Sequence, residues 1–137
     1  MEPQSLALLF TVAMLAVTAY FLLGSVPLLV LRHDNPMDAR FIRSFYITYY
    51  RFALVTAVAA ATSHAWAGRT AFASGAAAIA ILTVVLWRSF IPQMDRLGGE
   101  IQASDPMAIP GSRRIHKSAI GINLAQLLAI LGSLAWF

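Results

Sequence analysis

The chain has 137 residues, 59% of them hydrophobic and 12% charged, with a mean hydropathy of +0.71. A soluble domain carries about 25% charged residues, and no soluble fold of this length hides so much apolar surface, so lipid is the expected solvent. Cysteine is absent, which excludes disulfides, thiolate ligands and thiol nucleophiles; the net charge of +4 and the pI of about 10.1 raise nucleic acid as a partner until the charges are placed.

The opening "MEPQSLALLFTVAMLAVTAYFLLG" lacks a basic start, and its apolar run continues to Leu31. A secretory signal would begin with Lys or Arg and end at a small-residue cleavage site, so this segment is expected to stay as a first span, about 5–31. Pro27 should bend its last turn. Asn35 can cap a second helix whose first residue is Pro36, with Asp38 in the first turn. From Pro36 to Trp66 that helix would measure about 46 Å against roughly 30 Å of hydrocarbon. The crossing is therefore assigned to about 42–66, with the opening turns among headgroups. A third span, about 71–90, meets a bend or stop at Pro92. Residues 92–111 hold Asp95, Glu100 and Asp105 with further Pro and Gly, and read as a cytoplasmic loop with a short surface helix around Met94 to Ala103. Span four, about 114–136, has Ser112 as a candidate cap. The expectation is a single all-α domain, an integral membrane four-helix bundle.

Nine of the ten basic residues fall at the end shared by the 1–2 and 3–4 connections, and Arg69 alone falls at the other. This positive-inside pattern puts both termini outside. Topology and anionic lipid headgroups then account for the pI, and nucleic acid is not needed. Trp66, Trp87 and Trp136, with Tyr46, Tyr49 and Tyr50, land near the expected interfaces as an aromatic belt. Ala53, Ala57, Ala60 and Ala61 form a small-residue stripe on helix two. "AFASGAAAIA" gives helix three a nearly bare first half, and both let helices approach closely.

The last span, "SRRIHKSAIGINLAQLLAILGSLAWF", carries polar residues at depth. Asn123 lies about 15 Å into the helix, where an unpaired amide costs several kcal/mol. His116, Asn123 and Ile130 share one face with Gln126 beside them, so the stripe should face protein. Two readings are open. The amides are interhelical glue, bonded to Thr18, Thr56 or Thr83 or to backbone freed by Pro27; or they line a pocket for a headgroup, quinone or small solute. His116, crowded by Arg113, Arg114 and Lys117, is expected as a neutral imidazole able to accept a hydrogen bond or ligate a metal. His33 is on the same side and could pair with it on haem, whereas His64 is at the opposite end. Arg51, in "FYITYYRFALV", either snorkels to the interface or gathers with Tyr50 and His116 at the inner mouth to hold a phosphate, carboxylate or lipid headgroup. Asp95 is available to neutralise one of the arginines. No Gly-rich phosphate loop, Ser–His–Asp set or intramembrane carboxylate is present, which argues against a proton-driven transporter.

"FYITYYRFAL", "RSFIPQMDRL" and "RRIHKSAIGINLAQLL" occur in an order that resembles the small membrane proteins of domain-of-unknown-function family 4149, akin to transmembrane protein 205. The likeness covers most of the chain after about residue 40. It rests on Arg113–His116 and Asn123–Gln126, and the chain departs from it at "HKSA", where the serine comes early. It implies a four-span bundle and a membrane location and brings no reaction. The four-span outline with a His near the last span is also similar to anthrone-oxygenase-like membrane proteins. The functional expectation is a non-enzymatic accessory or interaction subunit of a larger complex in the inner membrane of a bacterium, its partners other membrane subunits and anionic lipid. The alternative is a quinone-, lipid- or small-molecule-binding protein, with a possible redox reaction, whose site is Arg51, Tyr50, His116, Asn123 and Gln126. No catalytic residue, metal or cofactor is assigned.

Overall fold

The computed structural model describes residues 1–28, 36–102 and 108–137, of which 36–39, 98, 100–102, 108–109 and 112 are described in backbone only. Four helices account for nearly all of it: α1 (Pro3–Leu28), α2 (Pro36–Trp66), α3 (Thr70–Gln102) and α4 (Ala108–Leu134). Each helix packs on the next and α4 returns to α1. Among the described residues the backbones of the diagonal pairs, α1 with α3 and α2 with α4, do not come close. The section is a square with α1 to α4 in order around it.

Heptad spacing places the seams. α1 buries Ala7, Thr11, Met14, Thr18, Phe21 and Ser25, steps of three and four that keep one line facing its neighbours. α4 repeats the pattern with His116, Ala119, Asn123, Gln126 and Ile130. What these seams bury is hydroxyl, amide and imidazole, while Leu8, Leu9, Leu23 and Leu128 stand exposed. A water-soluble bundle does the reverse. With lipid outside, nothing is gained by hiding leucine, and small or hydrogen-bonding side chains hold the helices together. Three segments, Pro3–Leu28, Thr70–Leu97 and Arg113–Leu134, are long and apolar enough to cross a membrane. α2 is too polar to join them by composition, although it lies along both α1 and α3.

The α2–α3 turn closes in a Schellman geometry. Arg69 N–H donates to the His64 carbonyl at 2.8 Å and Gly68 N–H to that of Ala65 at 3.1 Å. Gly68 sits at φ 74°, which a side chain would resist.

Pro36 opens α2 as expected; Asn35 lies outside the described residues, as does the end of the expected first span at Leu29–Leu31. Other expectations are corrected. α3 does not stop at Pro92 but runs through it to Gln102, so the separate surface helix is a continuation of α3. The carbonyl that Pro92 leaves without a donor belongs to Arg88, an exposed residue near the interface, where solvation is cheap. Leu97 on this extension is buried against Ile115. α4 starts at Ala108, a turn before Ser112, which is therefore inside the helix and no cap; Pro110 is tolerated because first-turn N–H groups have no partner anyway. Tyr46, Tyr49 and Tyr50 are not a lipid-facing belt. All three are buried with Phe21 and Ile91 in one core cluster, and Trp87 stacks on Tyr50 at 6.3 Å between ring centroids. Trp66 and Trp136 are exposed. Of the small stripe on α2, Ala53, Ala57 and Ala60 are buried as expected.

Gly24 is where α1 accepts α2. A Cβ there would lie 2.7 Å from the Phe45 ring, itself stacked on Phe21 at 5.4 Å. Gly24→Ala is expected to lower stability in detergent by about 1 kcal/mol through overpacking. Gly75→Ala, where nothing lies within 4 Å, should be neutral or gain up to about 1 kcal/mol of helix propensity. Thermal unfolding of the two variants in the same micelle checks the contrast.

Candidate functional site

The interior holds two polar groupings, one around the middle and basic end of the bundle and one at the far end. The first is built on Tyr49. Its hydroxyl accepts from Asn123 Nδ2 at 3.0 Å and donates to Gln126 Oε1 at 3.3 Å. The bond spans the diagonal of the square, from α2 to α4, where the backbones are too far apart for small residues to meet. The Tyr49 ring stacks on Phe21 with centroids 4.0 Å apart, so α1 fixes its orientation. Asn123 is 2% exposed, and its pairing with Tyr49 replaces the expected threonine partners. Thr18, Thr56 and Thr83 instead turn their hydroxyls back on the carbonyls of Met14, Phe52 and Ile79 in their own helices.

His116 stands two turns toward the basic end, 1% exposed, and donates through Nε2 to the Ser25 carbonyl at 2.9 Å. Ser25 is in the last turn of α1, where carbonyls lose their i+4 donors; the imidazole supplies one from another helix. Its ring meets Tyr46 edge-on at 5.6 Å. The hydroxyls of Tyr46, Tyr50 and Ser25, with Asn123 Oδ1 and Gln126 Nε2, are buried without a hydrogen-bond partner among the described residues. The space between Tyr49, Tyr50, Asn123 and Gln126 is about 10 Å³, the room of one water molecule and not of a ring system.

Tyr50, His116, Asn123 and Gln126 are thus brought to one interior. Arg51 is not: it is exposed on the outside of α2, one residue and about 100° from buried Tyr50. Asp95 does neutralise an arginine, pairing with Arg43 in an ion pair that ties α2 to the α3 extension. His33 lies outside the described residues, so the His33–His116 pair has no geometry. Among the described residues no group of three His, Cys, Asp or Glu side chains is placed to hold a metal.

The far grouping was not legible as a unit. His64 Nε2 and Thr11 Oγ1 are 2.9 Å apart, and the Thr11 proton already goes to the Ala7 carbonyl at 2.7 Å. The imidazole must therefore donate, which places its hydrogen on Nε2. His64 is flanked by the rings of Phe72 and Phe137, each 5.6 Å away. The Arg69 guanidinium lies 4.2 and 4.0 Å from those same ring centroids and donates to the Trp136 carbonyl at 2.9 Å. Arg69 had a signal, as the only cation at its end; Tyr49 had the heptad step from Ile42 and the three-residue step from Tyr46. The apolar cluster of Met14, Ala57, Ala60 and Ile130 lies between the two groupings, so no polar path runs the length of the bundle among the described residues.

A helical membrane protein whose helices are joined by buried polar side chains is the class that this fold and interior define. No family model matches the chain, and no curated protein or solved structure matches it.

If the Tyr49 hydroxyl is the bond across the diagonal, Tyr49→Phe and Asn123→Leu should be non-additive. Their coupling in a double-mutant cycle is expected at about 0.5–1.5 kcal/mol, the range for hydrogen bonds between membrane helices. Stabilities from unfolding in mixed micelles give the cycle, and simple addition of the two losses would remove the diagonal bond from the account.

Proposed function

We propose that the chain is a non-enzymatic accessory subunit of the inner membrane, crossing it four times with both termini outside, and that it works by docking its outer helix faces on a partner subunit. The observation that carries the reading is a lane of small residues on the lipid side of α4. Gly121, Ala125, Ala129 and Gly132 are all exposed, and a Cβ added at either glycine would meet nothing within 4 Å. α3 offers Ala71, Ser74, Gly75 and Ala78 in the same way. Small residues four apart are the surface on which membrane helices approach each other, and here the bundle itself does not use them. The cavity between Tyr49, Tyr50, Asn123 and Gln126 supports the same reading, since its volume of about 10 Å³ suits one water molecule and not a quinone. Kinship with the family-4149 proteins, carried by Arg113–His116 and Asn123–Gln126, belongs to this proposal and fits a protein without a reaction.

Two measurements test it. Paired Gly121→Ile and Ala125→Ile are expected to reduce the native-detergent assembly to a monomer whose own unfolding temperature is unchanged. A wild-type chain that is already a bare monomer, or an assembly indifferent to both isoleucines, overturns the docking reading. Topology is read separately, because the chain has no native cysteine. A membrane-impermeant thiol reagent should reach Thr70→Cys from outside intact cells and Lys117→Cys only after permeabilisation. The opposite pattern inverts the orientation.

A further inference from the structure

A trench of about 670 Å³ runs along the lipid-facing seam between α1 and α2. Its walls are Tyr20, Phe41, Phe45 and Phe52, with Val17 behind them, and the Tyr49 ring forms part of its floor. Phe41 and Phe52 are 59% and 60% exposed. Two hydroxyls, Ser44 and Thr48, lie along its α2 edge. At 100° per residue, Arg40 and Arg51 fall on the same strip of α2 as Ser44 and Thr48, one on either side of them. Both arginines are exposed, and neither has a hydrogen bond, ion pair or ring contact among the described residues. The Ser44 hydroxyl is equally without a partner there; Thr48 donates back to the Ser44 carbonyl at 3.0 Å.

We infer that this trench binds an anionic phospholipid, with an acyl chain along Phe45 and Phe52 and the phosphate held by Arg51 at the level of Ser44 and Thr48. The inference goes beyond the docking of a partner subunit and rests only on α2 crossing the bilayer. Arg51 stands 15 residues before Trp66, about 22 Å along the helix. If Trp66 marks the far interface, Arg51 enters the roughly 30 Å hydrocarbon layer some 8 Å from its basic side. A guanidinium left bare at that depth is costly. Side chains on a helix tilt toward its N-terminus, so Arg51 reaches back along the trench edge toward Thr48 and Ser44, where a lipid phosphate can take a bidentate pair.

Charge selects the occupant. All six carboxylates of this chain, Glu2, Asp34, Asp38, Asp95, Glu100 and Asp105, lie outside the assigned spans. A second copy packed on the trench would leave Arg51 facing apolar surface or another Arg51. A phosphodiester with a tail satisfies both halves of the groove.

Native mass spectrometry of the full chain, titrated with phosphatidylglycerol or phosphatidylcholine in a neutral detergent, reads the site. One phosphatidylglycerol should be retained in preference to phosphatidylcholine. Arg51→Gln should cut that preference about tenfold, the loss of one charge-assisted bond, and Phe52→Ala should weaken both lipids alike. Arg114→Gln, on α4, should change neither. Equal retention of the two lipids by the wild type, or an Arg51→Gln chain that still prefers phosphatidylglycerol, overturns the inference; so does a wild-type chain that dimerises in place of binding lipid. A nitroxide on Phe52→Cys separates the underlying assumption. A label accessible to water would show that α2 does not cross, whereas a lipid-buried label with an unaffected Arg51→Gln sinks the lipid site alone.

Discussion

The Tyr49 hydroxyl is asked to do what backbone proximity does elsewhere in the bundle. Around the edge of the square, alanine and glycine bring neighbouring helices together: Ala57 and Ala60 are both buried in α2, and Ala76 and Ala80 in α3. Across the diagonal that device fails, because the helices are too far apart, and the gap must be filled by long side chains. Those side chains have to end in something polar if they are also to fix register, since apolar contacts slide. Tyr49 reaches Asn123 and Gln126 three residues apart on α4. A slip of α4 by one turn would lose both bonds and strand two amides in a low-dielectric interior, at a cost of roughly 1–3 kcal/mol each. The register of α4, and with it the approach of His116 to Ser25, follows from that pair.

This division explains why the least apolar helix is the most buried. α2 carries Tyr46, Tyr49, Tyr50, Ser63 and His64 on its inner faces. Composition makes it look unfit for lipid, yet those groups are turned inward, with α1 and α3 packed on either side of it. α1 is the opposite case, apolar throughout and exposing leucine. It is fixed at both ends by imidazoles from other helices, His116 at the Ser25 carbonyl and His64 at Thr11. A helix with no charge beyond Glu2 has little else to set its rotation, and the two histidines supply it.

How much of this could be read from the chain divides by the range of the interaction. The helix bounds at Pro36 and Trp66 follow from local signals and were legible, as was the inward face of His116, Asn123 and Gln126, which is a matter of 3.6-residue geometry. The partner of Asn123 was not. Threonines were the natural candidates by chemistry, but a helical threonine can satisfy itself on its own i−4 carbonyl, and Thr18, Thr56 and Thr83 all do. Tyr49 was misplaced because tyrosine near a helix end reads equally well as interfacial anchor or core. Only the heptad step from Ile42 separates the two. Pro92 reads as a bend or stop by a rule for helices in water-exposed or densely packed settings, whereas a freed carbonyl on exposed Arg88 is easily solvated and the helix continues. Arg51 beside Tyr50 shows the limit of grouping by sequence distance: adjacent residues on a helix face directions about 100° apart.

The square also sets where outside molecules can act. The α1–α2 seam and the α3–α4 pair lie on opposite edges, so a phospholipid in the trench and a partner helix on the Gly121 lane would not compete for surface. They are joined through the core all the same. The Tyr49 ring floors the trench while its hydroxyl holds Asn123 and Gln126, and those two residues set the rotation of α4 and therefore the direction in which Gly121 and Ala125 face. A lipid that presses on the Tyr49 ring would act on one end of a rigid side chain whose other end positions the small-residue lane of α4. Tyr49 thus joins the two edges through its ring on one side and its hydroxyl on the other, at the level of the core cluster of Phe21, Tyr46 and Tyr50.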